Sequence, residues 1–385
     1  MPVTLPAGPD LDLRASVLGA GRAAGLAAVG TCSAEPFLET RRVLEERRDA
    51  GLGGTMAFTY RNPARSTDPS RTLAEVRTLV VAAHRYPSAV LDRPAAPSAR
   101  VARYATADHY GRLRAGLDAM AATLRTAGHR AMVLADDNGL VDRAAAYRAA
   151  LGWYGRSANL LLPGAGSWFV LGSVLTTADL GPSADPVPDG CGTCRRCVDG
   201  CPTGAIVADG VVDARRCLAW HLQMSGEFPR EFRAALGDRL YGCDECQEVC
   251  PPNRRADGSG AGLADEGAPA PDPGAWVDLH WMLRCADDDL LEHLGRWYVP
   301  DRDPRMLRRN ALVILGNVGD PTDPEVEELL VRWLDGPDDL LAGHAAWAAL
   351  RMGRSDLLAA AHRAARAVVA AEVADPPPTR QDARP

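Results

Sequence analysis

Lysine is missing from this chain: all 43 basic residues among its 385 are arginine. Any phosphate contact must therefore come from guanidinium groups, which grip phosphate in a bidentate fork. Also missing is any apolar run near the roughly 20 residues needed to cross a bilayer. The opening "MPVTLPAGPDLDLRASV" has neither a charged stretch ahead of an apolar core nor a twin-arginine pair. It does not read as a signal peptide, so a cytoplasmic protein without membrane attachment is expected. An excess of positive charge is lacking too. The net charge of −7 argues against general coating of nucleic acid but leaves room for a local basic patch. What is present, 46% hydrophobic and 24% charged residues, is the composition of a globular protein long enough for two or three domains. Ten cysteines in a reducing compartment point to metal ligation before disulfides.

Residues 11–50 carry apolar positions at three- and four-residue spacing in "LRASVLGAGRAAGLAAVG" and "PFLETRRVLEERRDAG", which predicts helices. Three apolar runs, "TLVVAAHRYP", "RAMVLAD" and "SWFVLGSVLTT", read as strands. Helical patterns lie between them, which suggests an α/β (α+β) layout with one mixed sheet. "RNALVILGNVGD" and "HAAWAALRMGRSD" repeat at a spacing of 35 residues, the period of a HEAT-like helical pair. The expected division is 1–187 as an α/β cofactor domain, 188–253 as the cysteine-rich domain and 254–274 as a linker. After these come 275–365 as HEAT-like helices and 366–385 as a disordered tail.

"CGTCRRCVDGCP" follows the bacterial ferredoxin run C-x2-C-x2-C-x3-C-P, whose fourth cysteine serves the neighbouring cluster. Cys191, Cys194 and Cys197 then hold one 4Fe–4S cluster, and Cys201 crosses to a second. "CDECQEVCP" mirrors this: Cys243 and Cys246 belong to the second cluster, and Cys250 returns to the first. Cys217, alone between the two runs, completes four and four as C-x25-C-x2-C-x3-C-P. The long gap leaves room for "LAWHLQMSGEFPREF" to lie beside an electron acceptor. A structural zinc at C-x2-C…C-x2-C would leave both C-x3-C-P cysteines idle. Cys32 and Cys285 read as small buried side chains. Paired clusters conduct electrons, so an acceptor is expected in the α/β segment.

The chain resembles the epoxyqueuosine reductase family along nearly its whole length. The matching stretches are "ARYATADHYGRLRAGLD", "DDNGLVDRAAAYRAALGWYGRSANLLLPGAGSWFVLGSVLTT", the offset double-ferredoxin run with "RLYGCDECQEVCPPN", and "RRNALVILGN". The resemblance implies reduction of the epoxide of epoxyqueuosine in transfer RNA. It further implies base-off cobalamin, two 4Fe–4S clusters, and a HEAT-like domain that helps hold an anticodon stem-loop. The family's proton donor stands six residues before an acidic-Arg pair; with Asp142-Arg143 as that pair, the spacing selects Asp136. Asp137 is the runner-up, and a helix cap ahead of "LVDRAAAYRAA" is the plain alternative. Arg65 becomes a candidate for the polar groups of cobalamin, and Leu160 and Leu171 for an apolar surface under its ring. The only approach to a D-x-H-x-x-G base-on motif is "DLHWML", which lacks the glycine. Arg305, Arg308 and Arg309 sit on neighbouring positions of one helix face and become candidates for RNA phosphates.

The chain departs from the family in three places: Asp108-His109-Tyr110 transposes D-Y-H, Gly155-Arg156-Ser157 replaces G-K-N, and Ala219 replaces a serine. Two other readings stand beside the reductase. One is a reductive dehalogenase-like enzyme, which would normally carry a twin-arginine signal; the other is a ferredoxin-type electron carrier with no chemistry of its own. A monomer fed by a flavodoxin or ferredoxin system is expected.

Overall fold

The computed structural model describes residues 8–86, 93–94, 97–183, 185–258 and 274–380. Two discontinuous compact units divide the chain. The first takes residues 1–89, 108–215 and 245–268; the second takes 90–107, 216–244 and 269–385. The main strands are β1 (Ala28–Ser33), β2 (Thr78–Arg85), β3 (Ser98–Val101), β4 (Ala131–Ala135), β5 (Phe169–Thr176), β6 (Arg239–Tyr241) and β7 (Trp276–Asp278). These units cut across the three-part division expected from composition. β3 comes from the presumed cofactor domain yet forms the centre of the second unit's sheet.

In the first unit the strand order is β1-β2-β5-β4, with every neighbouring pair antiparallel. The expected mixed sheet is thus corrected, and β1 occupies a stretch read as helical. Its short side chains (Ala28, Val29, Gly30, Thr31) carry little periodic signal. Helices α1 (Leu11–Ala23), α2 (Leu38–Asp49), α3 (His109–Thr126) and α4 (Asp142–Arg148) complete the unit. α3 packs with α1 and on β2, β4 and β5. Glycine permits that closeness: a Cβ on Gly21 would lie 2.7 Å from Met120 Sδ, and one on Gly172 2.7 Å from Leu117 Cδ1. α4 packs on β1, β2 and β5, where Ala145 joins Phe37, Leu79, Leu171 and Leu175 in a continuous core. Asp108 caps α3 by accepting the Gly111 N–H at 2.8 Å, so one residue of the transposed triplet has a structural duty.

In the second unit β3 runs parallel to β6 and antiparallel to β7. Its helices are α5 (Leu218–His221), α6 (Arg305–Val318), α7 (Pro324–Asp335), α8 (Asp339–Arg351) and α9 (Ala367–Ala374). α6 and α8, which hold the 35-residue repeat, lie against each other so closely that a Cβ on Gly316 would stand 2.8 Å from Ala348 Cα. The expected tail is ordered as far as residue 380. Val369 of α9 is fully buried, Glu372 pairs with buried Arg233 at 2.8 Å, and Arg380 donates to the carbonyls of Asn317 and Gly319. Residues 381–385 of that tail, and 259–273 of the expected linker, lie outside the described residues. The linker's first residues continue a helix, Pro251–Gly258. Among the described residues no helix is long and apolar enough to cross a membrane.

The α6–α8 contact tolerates no added volume. Gly316→Val is expected to destabilise the second unit by roughly 1–3 kcal/mol, read as a lowered urea midpoint.

Candidate functional site

Asp136 follows the last residue of β4 and takes a left-handed backbone, φ 53°. This conformation is costly for a residue with a Cβ and needs support from its surroundings. Several bonds provide it. Arg114 of α3 donates to the Ala135 carbonyl at 3.1 Å, and Thr72 Oγ1 to the Gly139 carbonyl at 3.4 Å. The Val141 N–H donates to the Ser66 carbonyl at 3.0 Å. Asp137, the runner-up, spends Oδ1 on the Gly139 N–H at 2.6 Å and so closes its own turn. The cap position of α4 belongs to Val141, not to Asp136. The loop leaves Asp136 without a capping role.

The charges around this loop favour protonated carboxyls. Asp136 is exposed, yet the surrounding protein mass dehydrates it and lifts its carboxyl above the ordinary range. The charge of Asp137 adds to the shift, and Arg114 partly opposes it. Asp142 is pushed up to about 8, by burial first and then by the negative charge of Asp136; Arg143 opposes, and Asp137 adds a little. Poor solvation and neighbouring like charge both favour the protonated form of a carboxyl.

A cavity of about 180 Å³ borders the loop, lined by Phe58, Arg61, Asn62, Arg65, Ser66 and Asn138. The expected Arg65 lies in it, and Arg61, missed in the sequence, faces the same space. Among the described residues neither guanidinium has a carboxylate partner. The lining suits phosphate or amide groups and is too small for a corrin ring. Leu160 and Leu171 are 2% and 8% exposed and belong to the core beneath α4. The expectation that they present an open apolar surface is therefore corrected: their strands turn them inward.

None of the ten cysteines is in a disulfide, and the eight of the two runs with Cys217 are half-buried. The first set of four lies within the first unit, where the thiols bear on one another. Cys250 is raised to about 11, chiefly by burial; the Asn253 N–H opposes this, while Cys197, Cys191 and Cys194 raise it further. Burial also lifts Cys197, with Cys191 and Cys194 adding to it. Gly155 is needed beside them: a Cβ there would meet Leu161 at 2.4 Å and lie 3.7 Å from Cys191 Sγ. Arg156, which stands where the family has lysine, donates to the Gly192 carbonyl at 2.6 Å and pairs with Asp209.

The second set is divided: Cys201 and Cys246 belong to the first unit, Cys217 and Cys243 to the second. Cys201 Sγ accepts the Ala205 N–H at 3.2 Å, and Cys246 Sγ accepts the Asn159 amide at 3.9 Å. Such N–H donors are what cluster thiolates receive in iron–sulfur proteins. The first set, whose thiols bear on one another within one unit, fits as cluster ligands. Buried Asn253 ties the second run to the turn before β5, bonding Ser167 N at 2.6 Å and Ser167 Oγ at 2.9 Å. Nothing in the cysteine spacing signals that tie.

The leftover cysteines are structural in setting. Cys32 is buried, pushed up to about 12, and its thiol donates to the Ala145 carbonyl at 3.7 Å. Cys285 has its carbonyl engaged by Arg308 at 2.8 Å. In "DLHWML", Asp278 caps a helix by accepting the N–H groups of His280 and Trp281, and His280 Nδ1 pairs with Glu325 at 2.8 Å.

The three arginines expected to face RNA do not share an exposed face. Arg309 is fully buried and bonds carbonyls of residues 221–226. Arg308 is 4% exposed, pairs with Asp287 at 2.7 Å and donates to the Met282 carbonyl at 2.6 Å. Arg305 remains exposed but is tied to Asp303 at 2.7 Å and Asp338 at 3.1 Å. Charge at helical spacing was compatible with a solvated face; packing against a distant segment took two of the three inward.

Residues 190–253 match the family described as a 4Fe-4S double cluster binding domain. The chain is 30% identical over 354 residues to the epoxyqueuosine reductase of Bacillus subtilis, covering 89% of this chain and 88% of that one. It is 35% identical over 323 residues to the epoxyqueuosine reductase of Gloeobacter violaceus, covering 80% and 97%. A crystal structure of an epoxyqueuosine reductase with a tRNA-Tyr epoxyqueuosine-modified stem loop superposes with a TM-score of 0.81. Its sequence identity is 27%, over 90% of this chain and 92% of that chain.

Asp142 makes stability depend on pH with a definite sign. Its folded pKa, about 8, lies above the unfolded value, so the contribution is full below the ordinary carboxylate range and is lost as pH rises through 8. Asp142→Asn is expected to flatten the fall in urea midpoint between pH 5 and pH 9. A variant with the same slope as the parent would show that the carboxyl titrates normally.

Proposed function

The chain belongs to the epoxyqueuosine reductase family, and from that premise we propose that it reduces epoxyqueuosine in transfer RNA to queuosine with Asp136 as proton donor. The observation that carries this reading is the setting of Asp136. It follows β4, an edge strand of the sheet, in a strained backbone, is free of capping duty, and has its carboxyl lifted by dehydration and by Asp137. Removing an epoxide oxygen as water takes two electrons and two protons. A general acid for that oxygen must hold its proton near neutral pH, which the raised Asp136 favours.

Two 4Fe–4S clusters and a base-off cobalamin, when bound, would supply the electrons that break the carbon–oxygen bond. In the first unit Cys191, Cys194, Cys197 and Cys250 would hold one cluster; Cys201, Cys217, Cys243 and Cys246 would hold the other. Arg65 and Arg61 would bind phosphate or amide groups of the cobalamin. Asp142 holds a second proton beside the loop and keeps negative charge from accumulating there. Arg114 fixes the Ala135 carbonyl and with it the direction in which Asp136 leaves the sheet. The stem loop bound by the solved relative supports a transfer RNA anticodon arm as the substrate here.

Asp136→Asn is expected to keep iron, cobalamin binding and stem-loop affinity and to lose at least 100-fold in epoxide reduction, the scale of a general acid. Nucleoside mass analysis of an epoxyqueuosine-modified stem loop measures this, and turnover at the parent rate would remove Asp136 from the role. Cys250→Ser tests the ligand assignment separately: iron is expected to fall by about four atoms per chain, the content of one cluster. Parent enzyme that binds no cobalamin would favour an electron carrier.

A further inference from the structure

Arg309 is a charge with no exposed surface, and its partners lie in one place. Nη1 donates to the carbonyls of Met224 at 2.8 Å and Gly226 at 2.6 Å, and Nη2 to that of His221 at 3.0 Å. Nε and Nη2 also reach Asn310 Oδ1 at 3.1 and 2.8 Å. Asn310, itself fully buried, donates Nδ2 to the carbonyls of Leu222 at 3.0 Å and Leu240 at 3.4 Å. Every one of these carbonyls lies between Cys217 and Cys243, in the stretch that displaces the eighth cysteine.

The bonds reach both cysteines by short paths. The Cys217 carbonyl accepts the N–H groups of Trp220 at 3.0 Å and His221 at 3.1 Å. The carbonyl held by Arg309 is thus one helical turn from Cys217. On the other side Leu240 lies in β6, and Gly242 (φ 73°) then turns the chain into Cys243. That turn is fixed from outside: a Cβ on Gly242 would lie 2.5 Å from Ala102 Cβ, and Asp244 Oδ2 accepts the Arg103 N–H at 2.7 Å. Cys243 is therefore anchored to the sheet. Cys217 sits on a four-residue helix that is too short to hold itself. Leu218 and Leu222 fasten it to the core by apolar contact, which does not set an orientation. Arg309 and Asn310 add directional bonds to it, and Asn310 bonds both arms at once.

We infer that Arg309 and Asn310 are positioning residues for the second iron–sulfur cluster, holding Cys217 at the spacing from Cys243 that one cluster requires. The inference rests on the reading of Cys217 as a ligand of that cluster. A lysine at 309 would keep the charge but lose the fork that serves three carbonyls together. Leucine at 310 would fill similar space and leave the two arms unconnected.

The test uses the full-length protein isolated with its clusters. Iron and sulfide per chain, and the electron paramagnetic resonance of the reduced protein, are measured for parent, Cys217→Ser, Arg309→Lys, Asn310→Leu and Leu330→Ala. The last empties core volume in the same unit from α7, which packs on α8. Cys217→Ser is expected to lower iron from about eight to about four atoms per chain. Arg309→Lys and Asn310→Leu are expected to follow it, with the first cluster's signal and the cooperative unfolding transition retained. Leu330→Ala is expected to keep full iron at a lower unfolding midpoint. Full iron and an unchanged spectrum in both Arg309→Lys and Asn310→Leu, with iron lost in Cys217→Ser, would overturn the positioning role alone. Full iron in Cys217→Ser would overturn the ligand reading beneath it. Equal iron loss in Leu330→Ala would assign the effect to general loosening and overturn the inference as well.

Discussion

A buried guanidinium has to replace its lost water with oxygen, and in the second unit the oxygen comes from the backbone. Arg309 is pulled down to about 10, by burial first and then by the nearby charge of Arg233, with Asp303 opposing. It remains a cation at neutral pH. Removing it would leave three carbonyls without this donor, and for that of His221, which is buried, the cost is sizeable. Asn317 extends the pattern along the same helix, donating to the carbonyls of Arg233 and Gly237 at 2.8 and 3.2 Å. The 25-residue insertion holds two short helices, Leu218–His221 and Arg230–Leu236, and the strand β6. Its shape is imposed by the polar side of α6, while the helix's other side packs on α8.

In the first unit the governing constraint is charge. Three carboxyl groups, Asp136, Asp137 and Asp142, stand around one loop, with Arg114 and Arg143 opposing their charge. Asp137 spends an oxygen on its own turn, and burial and like charge raise the other two. The site is built from a conformational strain and an electrostatic one at the same loop, and the scaffold that bears both is the antiparallel sheet with helices on its two faces.

Much of this was legible in the sequence. Cysteine spacing pointed to paired clusters, and all eight of those cysteines fall within the double-cluster match over residues 190–253. β2, β4 and β5 announced themselves as apolar runs, and the interval between Asp136 and Asp142-Arg143 singled out the loop. Other features were hidden for physical reasons. β1 is made of small residues whose pattern fits helix and strand alike. The pairing direction of strands depends on connections that composition does not record. Arg308 and Arg309 looked like a solvated face because their carbonyl partners are more than 20 and more than 80 residues away. Leu160 and Leu171 were apolar as expected, and which way their strands turn them is a tertiary fact.

The discontinuity of the two units also orders events in time. A chain leaves the ribosome from its N-terminus, and β3 emerges long before its partners β6 and β7. The residues that seat Cys217 against Cys243 emerge later still, in α6. All eight thiolates have been made when residue 250 has appeared, but two of them, Cys217 and Cys243, belong to the unit whose fastening helix has not yet been made. The first set can close within a unit whose main strands are complete by residue 176. Folding of this chain is thereby staggered by its own topology, the main strands of the first unit preceding the helix that holds the stretch between Cys217 and Cys243.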